Sequence, residues 1–367
     1  MSLEDEIKKA RKEIVADGYE MSVGEIISLY KDDDIIIHPD FQRLFRWKEG
    51  QKTRFIESLL LGIPIPPIFV FQNEDGVWEL IDGLQRLSTI FEFVGIRRLP
   101  DGEIDSPSFL EGTKFLPSLS GKYWNPTSDE ADDGIGRVNQ REMKRSRIRV
   151  EILKKESDPS AKYELFQRLN TGGSPLSNQE VRNCVAVMLN KKFYEWLKAC
   201  AVYAPFTNTT ALTDTATKKQ ADTELALRFS AFRNIPYDGR MNIHEYLDNS
   251  LIEMARYDSF SIKKEDDIFQ RTFTLLDRSL NKKAFKKWDG KAFKGRFLMS
   301  VFEVIAIGVS KNIDRIEEMK QTEQDEFVIE KSKALWSDKV FLEHSSNVSG
   351  ITRLARLLPI AEDFLKP

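Results

Sequence analysis

Apolar residues recur at helical spacing at Phe55, Ile56, Leu59 and Leu60, and the run stops at Gly62. That pattern predicts a helix closed by a glycine cap. Pro64, Pro66 and Pro67 then force an extended connection. Ile68-Phe69-Val70-Phe71 and Val77-Trp78-Glu79-Leu80-Ile81 are short apolar runs joined across Asp75-Gly76, the pattern of two strands and a hairpin turn. Leu87, Ile90, Phe91 and Val94 return to helical spacing. Asp34 to Ile37 predicts a short strand, and Arg147 to Leu153 alternates into another. Ser22 with Glu25, and Ser177 with Glu180, have capping-box spacing. The first opens a helix through Tyr30, the second a helix with Val181, Val185 and Met188 inward. Residues 2–16 have the pattern of a charged, weakly amphipathic helix. Asp158-Pro159 starts a further helix that ends at Asn170-Thr171-Gly172-Gly173.

Periodicity is lost between Pro100 and Gly136, where Gly, Pro, Ser and Asp crowd together, so a long, partly mobile insertion is expected near 100–140. After about Asn190 the pattern is helical almost throughout: 225–232, 251–256, 268–280, 297–307, 316–335 and 351–358. The expected fold class is α+β. A domain with a small mixed sheet spans 1–190, and an all-α domain spans 191–367.

Composition narrows the setting. Of 367 residues, 41% are hydrophobic and 31% charged, which is ordinary for a soluble globular protein. The net charge of −3 supplies no global field toward nucleic acid or membrane, so any anion binding must come from local clusters. Two cysteines, Cys184 and Cys200, build neither a disulfide framework nor a zinc site, and a reducing cytoplasm is the simplest compartment. No apolar run reaches the roughly 20 residues of a membrane span.

Three stretches carry candidate chemistry. At Asp82-Gly83-Leu84-Gln85-Arg86-Leu87-Ser88-Thr89 a strand ends and a helix begins. The junction points free backbone N–H groups and a positive helix end outward, a setting for phosphate. Gly83 permits close approach, Arg86 supplies a bidentate cation, and Ser88 and Thr89 offer hydroxyls. Asp82 suits Mg²⁺ or the orienting of a water. The plainer alternative is an Asp-Gly turn with Arg86 in a surface salt bridge. The second stretch, Phe41 to Trp47, sets Arg43 and Arg46 among three aromatics, for stacking or phosphate contact. Its alternative is buried rings and solvated arginines. The third, Phe166 to Gly173, contains Arg168 and Asn170 before a Gly-Gly, an anion nest or a helix C-cap. Gln-Arg-Leu occurs in all three, at 42–44, 85–87 and 167–169.

Other features read as structural. His38, His244 and His344 are scattered, Cys184 falls on an apolar helix face, and Walker A and GxGxxG fingerprints are missing. Arg141, Lys144, Arg145, Arg147 and Arg149 read as a solvated strand face paired with the acidic run at 129–133, the alternative being a contact to nucleic acid.

At these residues the chain resembles the GmrS-type N-terminal domain of bacterial GmrSD-like modification-dependent restriction systems. The family's aromatic-Gln-Arg-x-x-x-Trp pattern is matched by 41–47. Its helix ending in Gly and Pro is matched by 57–64, and its Asp-Gly-Gln-Gln-Arg by 82–86. Its Phe-x-Arg-x-Asn-Thr-Gly-Gly is matched by 166–173, and its Leu-Ser-x-x-Glu-x-Arg by 176–182. The resemblance covers roughly residues 20–190 and implies a ParB- and sulfiredoxin-like fold in which a strand-to-helix junction binds nucleotide phosphates. It implies Asp82, Gln85 and Arg86 as catalytic residues. Gly83, Arg43, Arg46, Arg168 and Asn170 would be phosphate contacts, with Mg²⁺ as cofactor. Convergence of the three Gln-Arg-Leu copies on one basic site is implied only by this resemblance. Leu84 stands where the family has Gln, so hydrolysis depends on whether that Gln positions water. An HNH-type nuclease motif is not visible, so a separate nuclease protein would do any cutting.

The reading is of a nucleotide-binding, NTP-hydrolysing component of a restriction or antiviral defence system. The alternatives are a non-catalytic DNA-binding or regulatory module using the same arginines, and an interaction scaffold with a vestigial site.

Overall fold

The computed structural model describes residues 2–5, 16–37, 45, 47–154, 177–256, 260–346 and 348–367. They form two compact units, Met1–Pro175 and Leu176–Pro367. The division falls at 175/176 rather than at 190, because the helix opened by Ser177 packs against later helices of the second unit.

The first unit is built on a five-stranded mixed sheet. Its strands are β1 (Ala16–Ser22), β2 (Ile35–Ile36), β3 (Ile68–Gln72), β4 (Trp78–Asp82) and β5 (Arg147–Leu153), in the order β1-β5-β3-β4-β2. β3 pairs antiparallel with β4 across the Asp75-Gly76 turn and parallel with β5. Ile68, Val70, Leu80, Ile148 and Val150 are buried, so the sheet's centre is apolar. Among the described residues four helices cover it: α1 (Val23–Lys31), α2 (Glu49–Leu61), α3 (Leu84–Val94) and α4 (Gly136–Arg145). Ser22 and Glu25 form the capping box of α1, and Gly62, at φ 68°, closes α2. Tyr30 of α1 stacks on Phe91 of α3 at 3.8 Å between ring centroids.

Two elements differ from expectation. β1 was not foreseen: it is an edge strand, and over 17–22 it buries only Met21. α4 emerges from the expected insertion, and Met143 is its one buried residue, so no apolar stripe marks it. Arg141, Lys144 and Arg145 therefore lie on a helix, not a strand face. Arg145 and Arg149 pair with Glu142 and Glu151 of their own elements rather than with the acidic run. Within 100–135, Leu110, Leu119, Trp124 and Ile135 are buried, which anchors that irregular segment. The helix expected over 159–170 lies outside the described residues.

The second unit is helical: α5 (Asn178–Leu189), α6 (Lys191–Val202), α7 (Ala204–Thr210), α8 (Asp214–Lys218), α9 (Ala221–Asn234), α10 (Ile243–Arg256) and α11 (Ile262–Leu280), then α12 (Met299–Glu317), α13 (Gln321–Ala334), α14 (Lys339–His344) and α15 (Gly350–Phe364). A short hairpin, β6 (Lys287–Trp288) with β7 (Phe293–Lys294), interrupts the helices between α11 and α12. α12 is buried on nearly every side, and a Cβ on its Gly308 would lie 2.3 Å from the Ala361 carbonyl of α15. The α+β class is borne out by the mixed sheet of the first unit and the helices of the second.

Candidate functional site

The junction after β4 is set by two demands on one residue. Gly83 has φ 107°, which L side chains rarely adopt, and a Cβ there would sit 2.5 Å from Ile68 Cγ2. The chain can pass from β4 into α3 here only without a side chain. The Arg86 Nη2 would lie 3.5 Å from that Cβ, an ordinary van der Waals contact, so it is Ile68 and the backbone angle that exclude a side chain. Gly83 is the N-cap of α3, and no side chain caps the first turn.

Arg86 reaches back one turn. Its Nη2 donates to Asp82 Oδ2 at 2.6 Å and to the Pro67 carbonyl at 3.1 Å. The Arg86 side chain is 15% exposed and that of Asp82 34%. The guanidinium has five N–H donors. Nη2 accounts for two bonds, and Nε is buried without an acceptor among the described residues. The pair thus forms a partly buried cation with its carboxylate on the open side.

Gln85 ties this junction to the second candidate stretch. Its Oε1 accepts from the Trp47 backbone N–H at 3.1 Å. Trp47 packs edge-on against Phe55 at 5.6 Å. The Phe45 ring has two cations over it, Lys52 Nζ at 4.9 Å and the Arg97 guanidinium at 4.5 Å from its centroid. Lys52 itself is buried. That burial alone would lower its pKa, but hydrogen bonds to Glu92 and Glu49 outweigh it and hold the ammonium above its ordinary range.

Ser88 and Thr89 are placed differently. Each is 1% exposed, and the Thr89 hydroxyl donates to the Gln85 carbonyl at 2.7 Å. Their hydroxyls sit inside the unit, not at its surface. Leu84, at the first helical position, is half-buried. Arg43, Arg46, Arg168 and Asn170 lie outside the described residues, as do two of the three Gln-Arg-Leu copies and His38. His244 meets Arg182, and His344 Nδ1 lies 2.9 Å from the Val340 carbonyl, so both have structural contacts. Among the described residues no three His, Cys, Asp or Glu side chains cluster as a metal site. No helix among them is long and apolar enough to cross a membrane.

Arg182 closes the motif matched by 176–182. It is fully buried in the second unit, with Nε on Asp248 at 2.7 Å and Nη1 on Glu224 at 3.3 Å. It is a packing hub for α5, α9 and α10. Sequence reasoning also passed over a cavity of about 350 Å³ between Thr53, Arg54 and Glu57 of α2 and Glu111 to Phe115. Half its wall comes from an irregular segment whose neighbours no periodicity reveals.

These features define a mixed-sheet domain that presents an Asp–Arg pair at a glycine-capped strand-to-helix junction. Residues 23–186 match the family model described as GmrSD restriction endonuclease, N-terminal domain. The resemblance seen in the motifs is borne out over that segment, which contains the whole junction. No curated protein matches the chain. Among solved structures, a Pnob8-like ParB-N domain is similar at 11% identity, covering 90% of this chain and 96% of that one. Its TM-score of 0.25 is too low to bear on the fold or the site.

Proposed function

We propose that the 82–86 junction binds the phosphates of a nucleoside triphosphate with Mg²⁺, and that the chain is the nucleotide-dependent component of a restriction system. The observation that carries this reading is the convergence at one glycine-capped turn of Asp82, Arg86 and, through Gln85, the Trp47 segment. The family description of residues 23–186 supports the restriction setting.

The electrostatics constrain how phosphate would bind. A phosphate brought to Arg86 meets the Asp82 carboxylate, and the two anions repel. Mg²⁺ held by Asp82 would offset that repulsion, since Mg²⁺ is commonly held by one or two carboxylates plus substrate phosphates. Asp82 fits that role as a single carboxylate ligand. Arg86 then stabilises charge on the transferred group, and Gln85 holds the wall of the site. Ser88 and Thr89 take no part. Leu84 favours a second reading, a sensor that binds nucleotide without turning it over, and a separate nuclease protein is the expected recipient of its signal.

Release of phosphate from Mg²⁺-NTP separates the readings. The hydrolase reading predicts turnover that Arg86→Ala removes. The sensor reading predicts none in the wild type and its appearance in Leu84→Gln. Turnover unchanged by Arg86→Ala would remove this junction from the chemistry.

A further inference from the structure

The loop between α11 and α12 is chemically unlike the rest of the chain. Residues 282–296 carry six lysines and one arginine against a single acid, Asp289, in a protein whose net charge is −3. Aromatic residues interleave with them: Phe285, Trp288, Phe293 and Phe297. The loop is tied at its base, where Leu298 N–H donates to the Phe285 carbonyl at 2.9 Å. Phe285 and Phe297 pack at 5.6 Å between centroids, and Phe285 is buried. Those two rings hold the loop down, and the hairpin between them faces outward.

In the hairpin, Lys287 stands opposite Lys294, and Trp288 opposite Phe293. Like charges directly across a strand pair cost stability. Asp289 offsets only half of it, pairing with Lys294 at 2.7 Å. Its carboxylate also accepts from the Lys291 and Ala292 backbone N–H groups, so its charge is largely spent inside the turn. The other six cations of 282–296 have no carboxylate partner among the described residues. Two cations lie over indoles instead: Lys333 Nζ is 5.2 Å from the Trp288 ring, and Lys287 Nζ is 5.8 Å from the Trp336 ring. Trp288, Trp336, Lys287 and Lys333 together line an open cavity of about 780 Å³.

We propose that this cavity is a single-stranded nucleic-acid site, in which bases stack on Trp288 and Trp336 while Lys287 and Lys333 contact the adjoining phosphates. Indole rings beside ammonium groups that have no carboxylate partner are the combination that sequence-tolerant single-strand binding uses, the lysines passing from the ring faces to the phosphates as bases take those faces. A duplex keeps its base faces stacked inside, so it offers these rings nothing comparable. An acidic peptide would meet the lysines but leave the indoles without a flat partner. The site lies in the second unit and does not depend on nucleotide binding at Arg86.

The test is fluorescence anisotropy of a labelled oligothymidylate of about 12 nucleotides, titrated with the full chain over a salt series. A matching duplex and phosphatidylserine vesicles are run in parallel. The wild type is expected to bind the single strand more tightly than the duplex. Lys287→Ala/Lys333→Ala, one side chain exposed and the other half-buried, should weaken binding and flatten the salt slope by about 1.4, two phosphates at about 0.7 each. Trp288→Leu should weaken binding about fivefold or more. Arg86→Lys should bind like the wild type. The proposal is overturned by the absence of single-strand binding at low salt, by equal duplex binding, by an unchanged slope in the double lysine variant, or by binding to vesicles alone.

Discussion

Gly83→Ala should destabilise the first unit substantially, for two separable reasons. An alanine held at φ 107° is strained, and left-handed backbone costs an L residue about 1–2 kcal/mol. Its Cβ would also lie 2.5 Å from Ile68 Cγ2 and 3.0 Å from Ile68 Cβ. Overpacking of this kind costs about 1–3 kcal/mol, so the expected loss is about 2–5 kcal/mol in all. A double-mutant cycle with Ile68→Leu divides the two parts. Leucine removes the Cγ2 branch but keeps Cβ, so part of the steric share should return while the backbone share remains. Urea denaturation of the full chain gives the loss, and hydrogen exchange across 84–94 shows whether α3 opens first. A loss under about 0.5 kcal/mol, the range of an inert surface change, with no coupling to Ile68, would refute the reasoning.

Arg182→Ala should cost about 3–5 kcal/mol in urea denaturation, because it takes the guanidinium from the buried Asp248 carboxylate and leaves Glu224 with Arg228 alone. Arg182→Lys, which keeps the charge but not the fork, should fall between. The His244 pKa is lowered by burial first and then by Arg182. The unfolded chain therefore takes up a proton near pH 6.5 that the folded chain refuses. Stability contributed by this group is present above that pH and lost as pH falls, so His244→Gln should show a shallower stability loss from neutral pH to about pH 5. Cys184 and Cys200 are buried, and burial, with Asp266 and Glu265, pushes the Cys200 thiol well above its ordinary range. Neither thiol should react with a disulfide reagent in the native protein, and both should after unfolding.

The sequence reveals most where local rules act alone. Both capping boxes form as spaced, with Ser22 and Glu25 bonding reciprocally and Ser177 and Glu180 doing the same. The Gly62 stop, the Asp75-Gly76 hairpin and the strand over 147–153 follow from turn chemistry and apolar period. Elements with a single buried residue, such as α4, leave no periodic trace. Ser88 and Thr89 show the opposite failure. α3 is buried from Leu87 through Phe93, so polar residues that an amphipathic reading sets outward are enclosed. At Arg86 the two readings merge, since the arginine that suits phosphate already pairs with Asp82. The basic hairpin at 287–294 escaped notice because short strands among helices lack period, although its density of lysine and aromatic residues was visible in composition.

Calorimetric titration of ATP, GTP, CTP and UTP with Mg²⁺ into the wild type and Arg86→Lys tests the central claim most directly. The lysine keeps a charge beside Asp82 but loses the bidentate fork. The account predicts that at least one nucleotide binds the wild type, that omitting Mg²⁺ weakens it, and that Arg86→Lys weakens it about tenfold or more, the loss of one charge-assisted hydrogen bond. Equal affinity in both proteins, or no binding by any of the four, would contradict it.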